Sequence, residues 1–297
     1  MSNVADLTVL ENEPMGPHTT YRVGGSVAQF VTVSNEHQLA TVIGLWGGTH
    51  DLRVVGNGSN LLVADGAHDV VVVRLAGELS SLTWNMHEDH VDVVAGAGLD
   101  LPIAARQLAA AGITGFEWAV GVPGTFGGAV AMNAGGHGSD MAASVVAIRC
   151  WRDGVAVELA AAEMAFGYRH APLRPGDVVS SVQLRLAPGD AATAKETLKG
   201  IVSWRRAHQP GGANAGSVFR NPIGDAAGRL LESVGAKGLR VGTAIVSTKH
   251  ANFIIANEDG RANDVFALMR VLRDRVQEET GITLVAETRL WGFGEEL

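Results

Sequence analysis

A glycine-rich run between Gly121 and Gly138 is the feature that most constrains how this chain folds. Its sequence is GVPGTFGGAVAMNAGGHG, in which seven of eighteen residues are glycine and none is Asp, Glu, Lys or Arg. Residues without a Cβ permit left-handed backbone turns and let the main chain approach a flat or anionic ligand closely. The alternative explanation is a system of tight turns inside an ordinary α+β domain.

Length and composition exclude several classes of protein. The chain has 297 residues, 46% of them hydrophobic and 18% charged, which is typical of a compact soluble protein with two or three lobes. No apolar run reaches the roughly 18 residues that span a bilayer, and the N-terminal stretch lacks a basic leader, so we expect a cytoplasmic protein. A net charge of −8 argues against a nucleic-acid-binding surface.

Cysteine and histidine usage predicts neither a disulfide nor a metal site. Cys150 is the single cysteine and lies in the strand-like run VVAIRCW, so we expect a buried, inert thiol. The one close pair of histidines, His87 and His90, lies in the polar turn NMHEDH, where we expect no metal ion.

Helix and strand signals alternate along the whole chain, which predicts an α+β fold. Short apolar runs between Arg53 and Val94 indicate strands, and the Ala-rich stretch that Asp100 opens and Gly112 closes indicates a helix. Later, VVSSVQLRL alternates as a half-buried strand, and apolar residues recur at helical spacing from Val265 to Val276. A polar helix and a Pro/Gly-rich loop after Pro188 predict a domain boundary.

Two further small-residue loops accompany the glycine-rich run. The first is PHTTYRVGG at Pro17 to Gly25, and the second is GNGSN, which follows a predicted strand at Gly56 to Asn60. Exposed backbone amides in such loops can bind a phosphate or pyrophosphate. The second loop is neither a Rossmann fingerprint nor a P-loop, because Leu61 stands where a third glycine is needed and no Gly-Lys-Ser/Thr follows.

Four motifs in order carry a resemblance over nearly the whole chain: TTYRVGG, GNGSNLLV, PGTFGGAVAMNAGG and AGSVFRNP. With them the chain resembles the bacterial UDP-N-acetylenolpyruvoylglucosamine reductase family, MurB. The resemblance implies a two-lobed FAD-binding region of the vanillyl-alcohol-oxidase (PCMH) type, with lobes at residues 1–75 and 76–190. An α+β substrate-binding domain follows at residues 191–297.

The cofactor that the resemblance implies is FAD, bound without a covalent link and reduced by NADPH. In such an enzyme the cofactor carries the hydride chemistry while the protein supplies position and electrostatics. The residues expected to hold the FAD lie in the second loop and the glycine-rich run, namely Gly56, Asn57, Gly58, Ser59, Asn60, Leu61, Gly121, Pro123, Gly124, Thr125, Gly127, Gly128, Ala129, Asn133 and Gly135.

Three residues are implied at the reacting end of the site. The resemblance makes Ser217 the proton donor, and it places Arg169 and Glu287 beside the substrate. The fixed charge of an arginine suits a carboxylate or an enolate that forms next to it. Glu287 lies in TLVAETRLWG, whose alternation predicts a strand with Val285, Glu287, Arg289 and Trp291 on one face.

The resemblance also implies contacts to the substrate UDP-N-acetylglucosamine enolpyruvate, which the enzyme reduces to UDP-N-acetylmuramate for peptidoglycan. The expected contacts are Tyr168, Arg206, Asn221 and Lys249, with Arg205 and Lys237 as alternatives for the diphosphate. One type of the family covers its substrate with a tyrosine on a C-terminal insertion. This chain has only Tyr21 and Tyr168, which indicates the shorter type.

Two other functions compete with this interpretation. One is an FAD-dependent oxidase or dehydrogenase of the same flavin-binding fold that acts on an alcohol or sugar, and the other is a flavin-binding module without catalysis. The combination of Arg169, Ser217 and Glu287 argues against both, since neither function requires it. Nothing in the sequence indicates the oligomeric state or a preference for NADPH over NADH.

Overall fold

The computed structural model describes residues 7–294 and 297, and these residues form two compact units. The N-terminal unit comprises Met1–Glu11, Gln29–Gly56 and Asp69–Arg205, and the C-terminal unit comprises Asn12–Ala28, Asn57–His68 and Arg206–Leu297. Each unit has its own hydrophobic core.

The helices and strands mix along the chain as the sequence predicts. The α-helices are α1 (Glu36–Trp46), α2 (Leu101–Ala110), α3 (Phe126–Met132), α4 (Ala191–His208), α5 (Ala227–Ser233) and α6 (Ala262–Thr280). The strands of the first half are β1 (Thr8–Pro14), β2 (Ser26–Val33), β3 (Asp51–Val54), β4 (Leu61–Val63), β5 (Ala67–Leu75), β6 (Leu82–Met86), β7 (Val91–Gly96), β8 (Ile113–Thr114), β9 (Gly135–Gly136) and β10 (Ser139–Asp140). Those of the second half are β11 (Val145–Arg152), β12 (Val155–Ala160), β13 (Val178–Pro188), β14 (Arg240–Val241), β15 (Ala244–Val246), β16 (Ile254–Ala256) and β17 (Arg289–Trp291).

The largest sheet lies in the N-terminal unit and has the strand order β12-β11-β13-β7-β6, with β8 paired to the end of β13. Its pairs are antiparallel, and β13 is the predicted strand VVSSVQLRL at the centre. A second sheet has the order β1-β2-β5-β3, in which β3 and β5 run parallel. Cys150 on β11 is fully buried, and burial raises the pKa of its thiol to about 11, as expected of an inert core cysteine.

Two predicted helices end where their C-terminal glycine signals indicate, and the first of them also begins at its predicted start. Helix α2 follows Asp100, has a proline in its first turn, and is followed by Gly112 with φ +71°. Its buried alanines and leucines pack into the core of the N-terminal unit. Helix α6 ends at Gly281 with φ +74°, and its apolar stripe from Val265 to Val276 fills the core of the C-terminal unit.

The compact units divide the chain at different places from the three segments predicted from the sequence. Helix α4 buries Ala194, Leu198 and Ile201 in the core of the N-terminal unit, so that unit continues to Arg205 instead of ending at residue 190. The C-terminal unit also takes in two N-terminal segments, residues 12–28 and 57–68. The assignment of the segments 1–75, 76–190 and 191–297 to particular domains stays a prediction.

The predicted C-terminal strand is shorter than its alternation suggests. Only Arg289–Trp291 form a strand, β17, which pairs parallel to β4, while Ala286 forms an isolated bridge with Phe219. The amides of Glu287 and Thr288 both donate to the Val218 carbonyl, at 2.8 and 3.4 Å, so the backbone bends between the bridge and the strand. The expected common face from Val285 to Trp291 is therefore interrupted.

Within the described ranges, no helix is both long and apolar enough to cross a membrane.

Candidate functional site

The loop from Gly56 to Asn60 follows β3 and is shaped by two glycines. Gly58 has φ +56°, and a Cβ there would lie 2.7 Å from the Cα of Thr19. A Cβ on Gly56 would overlap the side chain of Thr125, which opens α3 in the glycine-rich run. Within the N-terminal unit, the absence of a side chain at Gly56 is thus what lets the start of the second loop approach the glycine-rich run.

Several backbone amides in these two stretches have no internal partner. Among the residues that the structure describes, the amides of Gly58, Ser59 and Asn60 donate no hydrogen bond, nor do those of Gly124 and Thr125. Open amides on consecutive residues are the usual protein contribution to an anion site, because each offers a partial positive charge. Both groups suit the phosphates of a nucleotide.

Arg74 adds a positive charge beside the second loop, Gly56 to Asn60. Its Nη2 lies 3.4 Å from the Gly56 carbonyl, and its guanidinium stacks over the Phe30 ring at 5.5 Å from the centroid. Burial lowers the pKa of Arg74, and the nearby Asp100 carboxylate partly offsets that effect. Arg74 was missed by the sequence analysis because it lies inside the apolar strand β5, outside every motif.

Gly128 lies on an open surface of helix α3. It is exposed, and a Cβ there would meet only the Thr125 Oγ1, at an ordinary 3.7 Å. Gly136 and Gly138 have no protein atom within 4 Å of the Cβ position. At Gly128 and Gly136 the fold does not require the lack of a side chain, which therefore fits a surface that a flat ligand covers, whereas the φ of +87° at Gly138 itself favours glycine.

Asn133 links the glycine-rich run to the segment that carries Arg169. It is buried in a left-handed conformation with φ +40°, and its Nδ2 donates to the Gly167 carbonyl at 3.0 Å. The Asn133 Oδ1 accepts from the Ala142 amide at 3.0 Å. The polar atoms of this side chain thus bind the protein itself, which gives Asn133 a positioning task in addition to the cofactor contact predicted for it.

Arg169 lies beside the glycine-rich run in a strained backbone conformation. Its φ is +54°, which few residues other than glycine adopt and which costs on the order of 1 kcal/mol or more. The Arg169 Nη2 lies 3.4 Å from the Gly135 carbonyl, and the guanidinium lies 5.4 Å from the centroid of the exposed Tyr168 ring. The structure therefore brings the predicted Tyr-Arg element and the glycine-rich run together within one unit.

Ser217 and Glu287 lie on neighbouring antiparallel segments of the C-terminal unit. Phe219 and Ala286 form a bridge, and the Glu287 amide donates to the Val218 carbonyl at 2.8 Å. Ser217 directly precedes Val218, and Glu287 directly follows Ala286. Both residues are partly exposed. Two of the three residues predicted at the reacting end are thereby brought together although they are far apart in sequence.

Asn252 holds the backbone beside Ser217 and was missed by the sequence analysis. Its Oδ1 accepts from the Phe219 amide at 3.0 Å, its Nδ2 donates to the Phe219 carbonyl at 2.8 Å, and its own carbonyl accepts from the Val218 amide. The side chain is 3% exposed. The run KHANF contains no glycine or proline signal, so nothing in one sequence marks this asparagine as a clamp.

Two buried polar atoms next to the Ser217 and Glu287 segments have no partner in the described part of the chain. They are the Arg220 Nε and the Thr288 Oγ1. Because a buried polar group without a partner is costly, such groups mark places where a ligand or water completes the hydrogen bonding. Arg220 lies within the AGSVFRNP motif, and that position was the signal that could have identified it.

The predicted substrate residues occupy different settings. The Lys249 Nζ donates to the Arg206 carbonyl at 2.6 Å, so these two residues lie together. The Oδ1 of exposed Asn221 accepts from the Ala227 amide at 3.0 Å, which leaves its Nδ2 to face outward. Lys237 is paired with Glu232, whereas Arg205 packs against Gly121 and its pKa is lowered by burial.

These observations fit FAD as the ligand. Open amides suit the pyrophosphate, and an exposed glycine surface suits a planar ring system. A family described as the FAD binding domain matches residues 27–158, and one described as the UDP-N-acetylenolpyruvoylglucosamine reductase C-terminal domain matches residues 208–291. The fold and site are those of a flavin-dependent oxidoreductase, an α+β FAD-binding domain followed by a C-terminal domain, which confirms the predicted fold class and cofactor.

Relatives match the chain along almost its entire length. The reductase 2 of Symbiobacterium thermophilum is 40% identical over 94% of this chain and 91% of its own, and that of Geobacter metallireducens is 40% identical over 96% and 94%. The crystal structure of the enzyme from Thermus caldophilus superposes with a TM-score of 0.82 at 36% identity, covering 96% of this chain and 98% of its own. The chain belongs to the UDP-N-acetylenolpyruvoylglucosamine reductase (MurB) family of peptidoglycan synthesis.

Proposed function

We propose that the protein reduces the enolpyruvyl double bond of UDP-N-acetylglucosamine enolpyruvate and forms UDP-N-acetylmuramate. The observation that carries the proposal is family membership over more than nine-tenths of the chain, with every motif of the site present. Bound FAD supplies the hydride chemistry, with NADPH as the donor. We place the enzyme in the cytoplasm, as predicted from the sequence.

The residues proposed to hold the FAD are those of the two loops. The open amides at Gly58 to Asn60 and at Gly124 and Thr125 bind phosphate oxygens, and the exposed Gly128 surface lies against the ring system. The other loop residues with this proposed role are Gly56, Asn57, Leu61, Gly121, Pro123, Gly127, Ala129, Asn133 and Gly135. Binding is non-covalent in this proposal.

Ser217 is the proposed proton donor to the carbon next to the reduced one. A serine hydroxyl is a weak acid in water, so it delivers a proton only when its hydrogen-bond geometry is fixed and the alkoxide that forms is stabilised. The Asn252 clamp on Phe219 and the pairing of Val218 with Glu287 fix the backbone on the C-terminal side of Ser217. Gly216, with φ +78°, shapes the turn on the other side.

Arg169 and Glu287 are the proposed stabilising groups at the reacting end. Addition of hydride to a double bond conjugated with a carboxylate places negative charge on that carboxylate, and a fixed guanidinium then stabilises the transition state more than the ground state. The strained backbone of Arg169 and the bond of its guanidinium to the Gly135 carbonyl hold the guanidinium in place before the substrate binds. Glu287 would orient the proton-donating hydroxyl or a water molecule.

The substrate's nucleotide-sugar portion is proposed to contact Tyr168, Arg206, Asn221 and Lys249. Arginine offers two parallel donors to a diphosphate, whereas lysine acts as a point charge. The outward Nδ2 of Asn221 is a free donor in the same motif as Ser217. Arg220, with its unpartnered Nε, is an additional candidate donor that the structure contributes.

The decisive experiment separates the two half-reactions of Ser217→Ala by stopped flow. We expect flavin reduction by NADPH to keep its rate and substrate affinity to stay within a few-fold, while flavin reoxidation by the enolpyruvyl substrate collapses. Ser217→Cys should recover part of the second rate, because a thiol is a stronger acid of similar size. Incorporation of solvent deuterium into the product identifies the protonation step.

The matched control is Ser203→Ala on the exposed side of α4, which should leave both half-reactions unchanged. An alanine variant at Ser217 that reoxidises its flavin at the wild-type rate would assign the proton to water or another side chain. Rapid turnover with oxygen and no reaction with the enolpyruvyl substrate would instead support an oxidase of the same fold.

A further inference from the structure

The hairpin between β6 and β7 gathers three metal-ligating side chains on its solvent face. One ligand atom from each of His87, His90 and Asp92 lies within 4.8 Å of the other two. The His87 amide donates to the His90 carbonyl at 2.9 Å, which closes a tight turn, and alternation along β7 puts Asp92 on the same face as His90. The sequence alone predicts no metal ion at this turn.

The separations match those between the ligands of a tetrahedral zinc ion. The Asp92 Oδ2 lies 3.3 Å from the His87 Nε2 and 3.5 Å from the His90 Nε2. Zinc bonds of about 2.0–2.2 Å to nitrogen and oxygen place two tetrahedral ligands about 3.3–3.5 Å apart. The two imidazole rings stack with centroids 4.4 Å apart and planes 12° apart, so one ring has to tilt before both Nε2 atoms can reach the same ion.

Outer groups orient two of the three ligands. The His90 Nδ1 lies 2.7 Å from the Asp89 Oδ1, which fixes the ring with its Nε2 facing Asp92. The Arg185 Nε donates to the other oxygen of Asp92, Oδ1, at 3.2 Å, so Oδ2 is left for the histidine side. A carboxylate on the far nitrogen of a ligating histidine is the usual outer partner in zinc sites.

Asn85 competes with a metal ion for His87, as Arg185 does for Asp92. Its Nδ2 lies 3.3 Å from the His87 Nε2, and rotation of the amide replaces that donor with Oδ1. The side chains of His87, His90 and Asp92 are 38%, 26% and 44% exposed, so an ion has direct access and a fourth coordination position faces water. We propose that this hairpin binds one Zn²⁺ through the His87 Nε2, the His90 Nε2 and the Asp92 Oδ2.

The proposal is independent of the flavin chemistry, since no residue of the cluster lies in the proposed catalytic or cofactor sets. Its function would be structural. Strand β6 is the edge of the large sheet, and a metal ion across the turn would tie the exposed end of that edge to β7.

Calorimetric titration of ZnCl₂ into untagged, flavin-loaded, chelator-treated enzyme tests the site. We expect about one ion per chain, with His90→Ala and Asp92→Asn weakening the affinity at least tenfold. Asp89→Asn should weaken it by about 10–100-fold, because it removes only the outer partner. X-ray absorption at the zinc edge should report imidazole nitrogens and oxygen with no sulfur.

His50→Ala is the matched control, because His50 is an exposed histidine whose side chain bonds only to its neighbour Thr49 among the described residues. It should leave the titration unchanged. Absence of a stoichiometric site, or a site that His90→Ala leaves intact, would overturn the proposal. If His90→Ala does not fold, His87→Gln and Asp89→Asn replace it in the test. A zinc affinity that neither of these variants weakens would overturn the proposal.

Discussion

The side-chain amide of Asn60 donates a 2.9 Å hydrogen bond to the backbone carbonyl of Glu287, across 227 positions of sequence. In return, the Asn60 carbonyl accepts from the Arg289 amide at 2.9 Å. Both residues lie in the C-terminal unit, where β4 and β17 continue the same pairing. The loop with open amides and the segment with the proposed catalytic carboxylate are thus held to one another by the Asn60 side chain, by the Arg289 amide and by the pairing of β4 with β17.

Asn60→Ala should loosen the Glu287 segment while keeping the backbone amides of the loop. Loss of the bond leaves a partly buried carbonyl without its donor, which costs about 1 kcal/mol of folding stability. We expect flavin reoxidation by substrate to slow more than flavin reduction by NADPH, because only the former uses Glu287 in our proposal. Asn257→Ala, which removes an exposed side-chain amide in the same unit, should change neither rate. Wild-type stability and rates in Asn60→Ala would refute this coupling.

Substitutions at two glycines should distinguish a glycine that the fold requires from one that cofactor binding requires. A side chain at Gly56 would overlap Thr125, so Gly56→Val should destabilise the protein by several kcal/mol through overpacking. A side chain at Gly128 meets only open space, so Gly128→Val should keep the unfolding temperature of the apoprotein and lose FAD. Flavin absorbance and thermal unfolding of both variants check the contrast. Full flavin occupancy in Gly128→Val would show that the ring lies elsewhere.

Arg169 should act on the second half-reaction alone. Removing one preorganised stabiliser of developing charge typically slows turnover by about 100- to 1000-fold. We expect Arg169→Ala to slow flavin reoxidation by substrate to that extent, and Arg169→Lys to restore little, since lysine lacks the paired donors. Arg174→Ala, an exposed arginine nearby in sequence, serves as the control. Equal slowing of both half-reactions would place Arg169 in the cofactor site.

Local signals predicted much of this fold. Asp100, Pro102 and Gly112 mark the bounds of α2 because capping chemistry is local, and the apolar repeat of α6 is visible within nineteen residues. The motifs also identified the family, which the comparisons confirm. The bound of the N-terminal unit at Arg205 was not predicted, because the burial of α4 depends on which core it meets.

Long-range contacts account for what the sequence did not reveal. No local pattern connects Asn60 with Glu287, or Asn252 with Phe219, because these pairs depend on how distant segments pack. The left-handed backbone of Arg169 was equally hidden, since arginine has no preference for it. The proximity of His87, His90 and Asp92 could not be seen in the sequence because it needs the hairpin register, which brings His87 opposite His90.

The ion pair of Arg152 with Asp177 should make the N-terminal unit sensitive to acid. The Arg152 Nη2 lies 2.6 Å from the Asp177 Oδ2, and the Asp177 side chain is 2% exposed. Burial pushes the pKa of Asp177 up, but the hydrogen bonds from the Arg152 side chain and the Arg174 amide outweigh it, so the pKa lies below its ordinary value. A carboxyl with a lowered pKa in the folded state contributes stability above its unfolded pKa of about 4, and that stability is lost as the pH falls through the folded value.

We therefore expect Asp177→Ala to cost about 2–3 kcal/mol at pH 7, by loss of charged hydrogen bonds, and progressively less below pH 4. Denaturant unfolding of wild type and variant at pH 7, 5 and 3.5 measures this difference. Asp153→Ala, at a carboxylate that is 88% exposed, should show no such pH-dependent gap. A gap for Asp177→Ala that stays constant down to pH 3.5 would mean that packing, and not the charge, is what the variant loses.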